Sequence, residues 1–446
     1  MPRLSMLHLI LVLSAVCTAS GAATDTASLK LRHADGQEGV LNRLEELPTA
    51  LAAILGEGEL RLVVKGRHKL LKCLHLQLHA GQRLVLEGDR ENAVLELGEL
   101  PVDAAAICLD AGQFEVRNLT MLHGPAWSVQ ISGGVHYDIV GLRILDARGG
   151  GIVAWGPCGV DQDGPAGNRI EKCSIERFNR AGAKWTNDGI SVRDNRAVIT
   201  GNIVRDSPTE TMGIRVMGAA NRIEGNLVKD VAKGDAGGIY LWGGEAIYTG
   251  VGNILRHNIV AGASRGIYLD DGTCAARVEQ NYLIDCPEAA IFIGGGRNNL
   301  LSENIALRCP VLAHVDNRRV GWRDFPEKSA MFAAARARLT TALRDESFRA
   351  AITAGGLDVK AFETLPEATF NEPSDNRIID NVLMPAALEI QWQNYARPKE
   401  TLLGRATDPM LPNRLLPIRD IDWKELSGRA LGISDMPDVT ALLGVP

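Results

Sequence analysis

The chain has 446 residues, 46% of them hydrophobic, with 47 glycines and a net charge of −6. That length exceeds one ordinary core unless the architecture is elongated, and the hydrophobic content excludes a disordered chain. The acidic balance disfavours nucleic acid as a partner, and no basic run interleaved with aromatics is present.

Residues 1–23 read as a signal peptide. Arg3 supplies the basic n-region, "LHLILVLSAV" the apolar segment and "TASGAA" the small-residue cleavage zone. The stretch "SAVC" ending at Cys17 lacks the leucine of a lipobox. No later stretch of 18 apolar residues follows, so no membrane span is expected and the mature chain reads as secreted or periplasmic. Residues 24–60 form an N-terminal cap region, in which "LPTALAAILG" reads as a short helix leading into the strand "LRLVVKG". A helix over the open end of a stacked core shields strand edges.

From 61 to 385 two motifs recur. Segments ending in Asn202, Asn226, Asn258, Asn281, Asn304 and Asn381, such as "NRIEGN" and "NILRHN", are spaced 24, 32, 23, 23 and 77 residues apart. A second motif, "DGISVR", "MGIRVM", "GIYLW", "GIYLD", "AIFIG", repeats on the same period. Short alternating strands every 23 to 25 residues, with asparagine at a fixed place, predict an all-β solenoid, a right-handed parallel β-helix. The asparagines are expected to stack at one corner, largely buried. The 77-residue gap holds a helical insertion over about 325–365, with helix-forming composition and apolar spacing. Residues 386–446 lose the period and read as a tail packed on the solenoid.

Seven cysteines remain after Cys17, an odd number, widely spread and with no CxxC. They read as small buried residues rather than a disulfide framework or a zinc site, and neither metal nor cofactor is expected.

Strand alternation selects the chemistry. If the recurrent isoleucines point inward, one outer sheet face carries Trp155, Arg193, Arg215, Tyr240, Trp242, Tyr268, Asp270 and Phe292. Exposed aromatics in ranks require a cover, from this chain or from a ligand. Aromatic faces suit sugar rings, with charged groups orienting hydroxyls. The carboxylates near that face are Asp188, Asp235, Glu245, Asp270, Asp271 and Asp316. Asp270 and Asp271 are adjacent at a strand end, where a turn at Gly272 can aim both at one cleft. Glycoside hydrolysis requires two carboxyl groups, and like charges held together raise one pKa as an acid catalyst needs. Asp235, one coil earlier, is the third carboxylate expected in the cleft.

The segments "GDAGGIYLW", "GIYLDDGT", "AIFIGGGRNN" and "AHVDNRRVGW" occur in that order. They resemble the right-handed parallel β-helix proteins of bacteria that include glycoside hydrolase family 141, most tightly over residues 234–322. The resemblance implies a carbohydrate-active protein, with α-L-fucosidase and xylanase activities known in that family. It implies Asp235, Asp270 and Asp271 as catalytic carboxylates, with Arg297 and Asp316 supporting. Asn298 stands where the family pattern carries aspartate, and Leu-Trp-Gly-Gly-Glu follows Tyr240 where Thr-Gly-Arg is commoner.

Three functions fit the sequence. The first is an exported glycoside hydrolase acting on a polysaccharide or oligosaccharide, with Arg193, Arg215, Tyr240, Trp242, Tyr268, Arg297 and Asp316 binding substrate. The second is a polysaccharide lyase or uronate epimerase, drawing its base from Lys184, His257, Tyr268 or an arginine. The third is a non-catalytic carbohydrate-binding protein.

Overall fold

The computed structural model describes residues 29–33, 38–89, 92–156, 167–242, 251–318, 375–384 and 388–393, with scattered positions between 330 and 373. The leader at 1–23 lies outside them, as do Glu245, Cys158 and nearly all of the tail. Among the described residues three sheets of 13, 11 and 11 strands run the length of the molecule. Each coil contributes one short strand to each sheet in turn, and successive coils pair in parallel. The fold is a right-handed parallel β-helix.

Local chemistry dictates the coil. From Gln113–Arg117 onward, each first-sheet strand is followed by a residue in the left-handed conformation, such as Gly225, His257, Gln280 or Glu303. A second such corner follows the second-sheet strands from Thr120–Leu122 to Ile305–Leu307, as at Asp146, Arg177, Asp230, Asp285 and Arg308. Most of these are not glycine, and each carries a backbone cost of about 1–2 kcal/mol. The asparagine ladder beside the first corner offsets it. Asn226 Nδ2 donates to Ile199 O at 2.9 Å and to Asn258 Oδ1 at 2.9 Å, and its own Oδ1 accepts from Asn202 N at 3.0 Å. Asn202, Asn258, Asn281 and Asn304 repeat the pattern, Asn381 ends it by donating to Leu301 O and Ile379 O, and all six are fully buried. A partial second ladder runs through Asn221 and Asn253, breaks at Ala276, and resumes at Asn299 and Asn376.

The Gly-Ile pairs of the repeat mark the corner entering the third sheet. A β-carbon on Gly189, Gly213 or Gly238 would stand 2.3, 2.4 and 2.3 Å from Val204, Val228 and Val260 of the second sheet. These glycines face inward, and so do the isoleucines that follow them; strict alternation is broken there. Ile190, Ile214, Ile239, Ile267 and Ile291 stack in register along the tube, each fully buried. Each such side chain stabilises the fold by about 1.5–3 kcal/mol.

The ends differ from the middle. Leu29–His33 pairs antiparallel with both Glu38–Leu41 and Gly58–Val64, adding a hairpin that the repeat does not foretell. The short helix Leu47–Ala53 buries Leu47 and Leu51. Past 385 the third sheet gains one more strand, Leu388–Gln393, paired with Val311–Asp316, so the solenoid continues into the segment read as tail. Described positions of the insertion, among them Ala334, Ala337, Thr340 and Thr341, are helical, with Thr341 Oγ1 donating to Ala337 O at 3.1 Å. No helix among the described residues is long and apolar enough to cross a membrane.

The outer surface of the first sheet is a lattice of solvated ion pairs, such as Arg117–Glu87 at 2.9 Å and Arg256–Glu224 at 2.9 Å. Such pairs are individually weak. The third sheet is different.

Candidate active site on the third sheet

Register fixes two outward ranks on the third sheet. One runs Ser191, Arg215, Tyr240, Tyr268, Phe292, His314, Gln391. The other runs Trp155, Arg193, Met217, then Trp242 and Asp270, then Gly294, Asp316, Gln393.

The aromatics of the first rank were expected to be exposed. They point outward but are buried: Tyr240 is 7% exposed, Tyr268 2% and Phe292 3%. They stack edge-on, Tyr240 to Tyr268 at 5.1 Å and Tyr268 to Phe292 at 4.8 Å, and His314 continues the column at 4.4 Å. Arginines lie over them. The Arg265 guanidinium sits 4.5 Å from the Tyr268 ring and 4.4 Å from that of Phe292. Arg215 lies 5.7 Å from Tyr240 and pairs with the buried Asp188 at 3.1 Å. Burial raises the Asp188 pKa above its usual range, against the opposing pull of Arg215 and hydrogen bonds from Met212 N and Thr211.

Arg265 escaped the sequence reading for a physical reason. Counting back from Ile267 by strict alternation points it inward. Gly266 takes an inward place as well, its imagined β-carbon 3.0 Å from Cys286 Sγ, so Arg265 emerges on the outer face. There it binds Asp235 and, at 2.6 Å, Glu288. His314 follows Ala313, which stands in the isoleucine register, so the repeat motif does not mark its rank in the sequence. Burial holds its pKa below the ordinary histidine value, and Nε2 meets Gln393 Oε1 at 3.0 Å.

Asp270 and Asp271 form the turn that ends the Arg265–Asp270 strand. Asp271 is left-handed (φ 46°) and Gly272 follows at φ 77°. Thr273 closes the turn, its N–H and Oγ1 donating to Asp270 O at 3.1 and 2.8 Å. The result aims both carboxylates at the outer face of the neighbouring strand. Tyr240 Oη donates to Asp270 Oδ2 at 2.8 Å, and Trp242 Nε1 donates to Asp271 Oδ2 at 2.8 Å. Tyr240 and Trp242 lie two residues apart, hence on one face. The Tyr240 hydroxyl is pushed well above its usual pKa, first by burial and then by these two carboxylates.

Arg318, just beyond the Val311–Asp316 strand, completes the cluster. Its Nη2 donates to Asp270 Oδ1 at 3.0 Å and to Tyr268 Oη at 2.9 Å, while Nε lies 3.3 Å from Asp316 Oδ2. Gly294, between Asp270 and Asp316 in the rank, leaves room for it: a β-carbon there would stand 2.7 Å from Asp270 Oδ1 and 3.1 Å from Arg318 Nε. Burial opposes the Arg318 charge, but Asp270, Tyr268 and Asp316 together raise its pKa.

Two expected members lie elsewhere. Asp235 precedes Gly237, which pairs with Arg265, whereas Asp270 pairs with Trp242 at the far end of the same strands. Asp235 thus enters from the opposite end, 63% exposed at its side chain and bound to Arg265. Arg297 lies in the turn after Ala289–Gly294, where it holds Asp375 and, at 3.2 Å, Asn298. Arg193 is exposed, its guanidinium 5.9 Å from the Trp155 ring. His257 is a first-corner residue whose Nε2 meets Gln280 Oε1 at 2.7 Å, and Lys184 pairs with Glu210 at 3.1 Å. Cys73, Cys108, Cys173, Cys274, Cys286 and Cys309 are free thiols, all but Cys73 buried. Burial pushes those of Cys108, Cys173 and Cys274 up to about 12.

Residues 105–317 match the family model described as a right handed beta helix region. No curated protein matches the sequence. Solved structures similar in fold include PfbA, a surface adhesin of Streptococcus pneumoniae, at 11% identity over 61% of this chain and 82% of that one (TM-score 0.35). They also include the Dettilon tailspike protein, at 14% identity over 56% of this chain and 57% of that one (TM-score 0.34). Tailspike protein 3 of bacteriophage CBA120 matches at 10% identity over 78% of this chain and 56% of that one (TM-score 0.33). The matches span little more than half the length of either tailspike.

Proposed function

We propose that the protein is an exported glycoside hydrolase whose site is the outer face of the third sheet around Asp270 and Asp271. The observation that supports this reading most is the turn itself, which directs two adjacent carboxylates onto one face beside Trp242. Hydrolysis of a glycosidic bond needs one carboxyl group to protonate the leaving oxygen and another to attack or to activate water. Asp270, held by Tyr240 and Arg318, is the fixed carboxylate; Asp271, half-buried at the rim, faces the leaving group. Tyr240, Tyr268 and Arg318 donate to charge that builds up in the transition state. Asp235 is released from the catalytic set and steadies Arg265 over the aromatic column. The motif resemblance to glycoside hydrolase family 141 points the same way.

Charge separates this reading from a lyase or epimerase acting on uronates, which requires cations to neutralise the sugar carboxylate. At the turn Asp270, Asp271 and Asp316 gather around the Arg318 guanidinium, while farther along the same face Asp188 is matched by Arg215, and Asp235 and Glu288 by Arg265. The face is therefore acidic and suits a neutral sugar. Burial and Asp270 raise the Tyr268 pKa, which makes its hydroxyl a donor rather than a base.

The test is product analysis on a panel of neutral and acidic polysaccharides. New reducing ends from a neutral polymer support the proposal. Products carrying the ultraviolet absorbance of an unsaturated uronate replace it with the lyase reading, and binding without any product replaces it with the binding-protein reading.

A further inference from the structure

The rank that ends at the carboxylates changes character along the tube. Trp155 is 42% exposed and Arg193 beside it is exposed; Met217 is 8% exposed, Trp242 half-buried, and Asp270 8% exposed. Trp155 and Arg193 pair in register, as do Arg193 and Met217, and Trp242 and Asp270. One rank of side chains thus descends from an open aromatic–guanidinium platform to a buried carboxylate cluster. Each rung advances about 4.8 Å, so Trp155 stands about 19 Å, four rungs, from Asp270. One rung is close to the length of one sugar ring in a polymer.

An exposed tryptophan costs solvation and contributes little to this core. The equivalent outward position on other coils is not aromatic by necessity: it is arginine at 193, methionine at 217, glycine at 294 and aspartate at 316. The tryptophans at 155 and 242 are therefore particular to their coils. Trp242 abuts the catalytic turn through Asp271, so a ring stacked on it belongs to the reacting sugar or its neighbour. Trp155 lies three rungs away on the same line, and among the described residues its ring meets the Arg193 guanidinium.

We infer that Trp155 and Arg193 form a distal sugar subsite, and that the substrate is a neutral polysaccharide lying along the tube axis across about five sugar units. This rests on the hydrolase reading above. The Trp155 indole stacks on the sugar face and Arg193 donates to its hydroxyls. A chain long enough to reach Trp155 gains affinity; a disaccharide at the carboxylates does not. The excess of carboxylates near Asp270 disfavours an acidic polymer along the same path.

The experiment is affinity gel electrophoresis of the full chain in gels containing xyloglucan, galactomannan, mixed-linkage β-glucan or polygalacturonate. At least one neutral polymer is expected to retard the wild type, and Trp155→Ala to weaken that retardation about three- to tenfold, the scale of one aromatic stack. The KM of a disaccharide-length substrate is expected to stay unchanged in Trp155→Ala while that of a longer oligosaccharide rises. Equal retardation of Trp155→Ala and wild type overturns the subsite, as does retardation by polygalacturonate alone or by none of the four. Asp270→Asn run in parallel separates the two claims. Loss of turnover in Asp270→Asn with unaltered Trp155→Ala removes the subsite and leaves the hydrolase; full turnover in both Asp270→Asn and Asp271→Asn removes the assignment of the chemistry to this turn whatever Trp155→Ala does.

Discussion

Asp270 and Arg318 meet over a missing side chain: Arg318 Nη2 reaches Asp270 Oδ1 at 3.0 Å across the place where a Gly294 β-carbon would stand. Gly294→Ala puts that carbon 2.7 Å from the aspartate oxygen and 3.1 Å from Arg318 Nε. The variant is expected to lose about 1–3 kcal/mol by overpacking and to displace Arg318. Chemical denaturation checks the first effect and turnover the second. Wild-type behaviour in both would mean that the clamp has no role.

Tyr240→Phe removes one of the two donors to the Asp270 carboxylate and leaves no cavity. The expected cost is about 1–3 kcal/mol for a buried acceptor that loses a partner. The phenylalanine ring keeps the edge-on packing against Tyr268, so circular dichroism should be unaltered while the denaturation midpoint falls. An unchanged midpoint would show that the hydroxyl contributes nothing to holding Asp270.

The asparagine ladder makes a sharper stability prediction. Asn281 bonds Leu255 O at 2.9 Å and Asn304 Oδ1 at 2.9 Å, and its Oδ1 accepts from Asn258 N at 3.0 Å. Asn281→Ala takes the acceptor from Asn258 N and Nδ2 and a donor from Leu255 O and Asn304 Oδ1, and is expected to cost about 1–3 kcal/mol. A midpoint equal to wild type would contradict the ladder as a source of stability.

Asp188 gives the pH dependence. Burial raises its native pKa above the ordinary aspartate value, and Arg215 offsets only part of that. The protonated form is therefore favoured by folding. Its contribution is complete below the unfolded-state pKa and is lost as pH rises through the raised native one. Asp188→Asn, which stays neutral, should gain on the wild type as pH climbs from the acid range toward neutrality. Paired urea titrations at several pH values measure the difference; a gap that is constant or shrinks with pH would contradict the assignment.

The repeat was legible because one coil cannot stand alone, so period, inward isoleucines and asparagines all carry the same signal. Three features were not. The outward placement of Arg265 depends on a corner at Gly266 that breaks alternation, and a two-residue period cannot register such a break. Asp235 is close to Asp270 when coils are counted, yet register puts it at the other end of the strands. Arg318 reaches Asp270 from two coils away, and the signal for it was a glycine, Gly294, where the rank otherwise carries side chains. The burial of Tyr240, Tyr268 and Phe292 was hidden for the same reason, since strict alternation turns the arginine that covers the last two toward the inner face.

The most direct test of the account is the turnover of Asp270→Asn and Asp271→Asn on the neutral polysaccharide that the wild type cleaves. Asparagine is nearly isosteric, so both variants should fold, with circular dichroism as the check. At least one is expected to lose about a hundredfold or more in kcat, the scale of a missing acid–base group. Full turnover in both folded variants would contradict the central claim that this turn carries the chemistry.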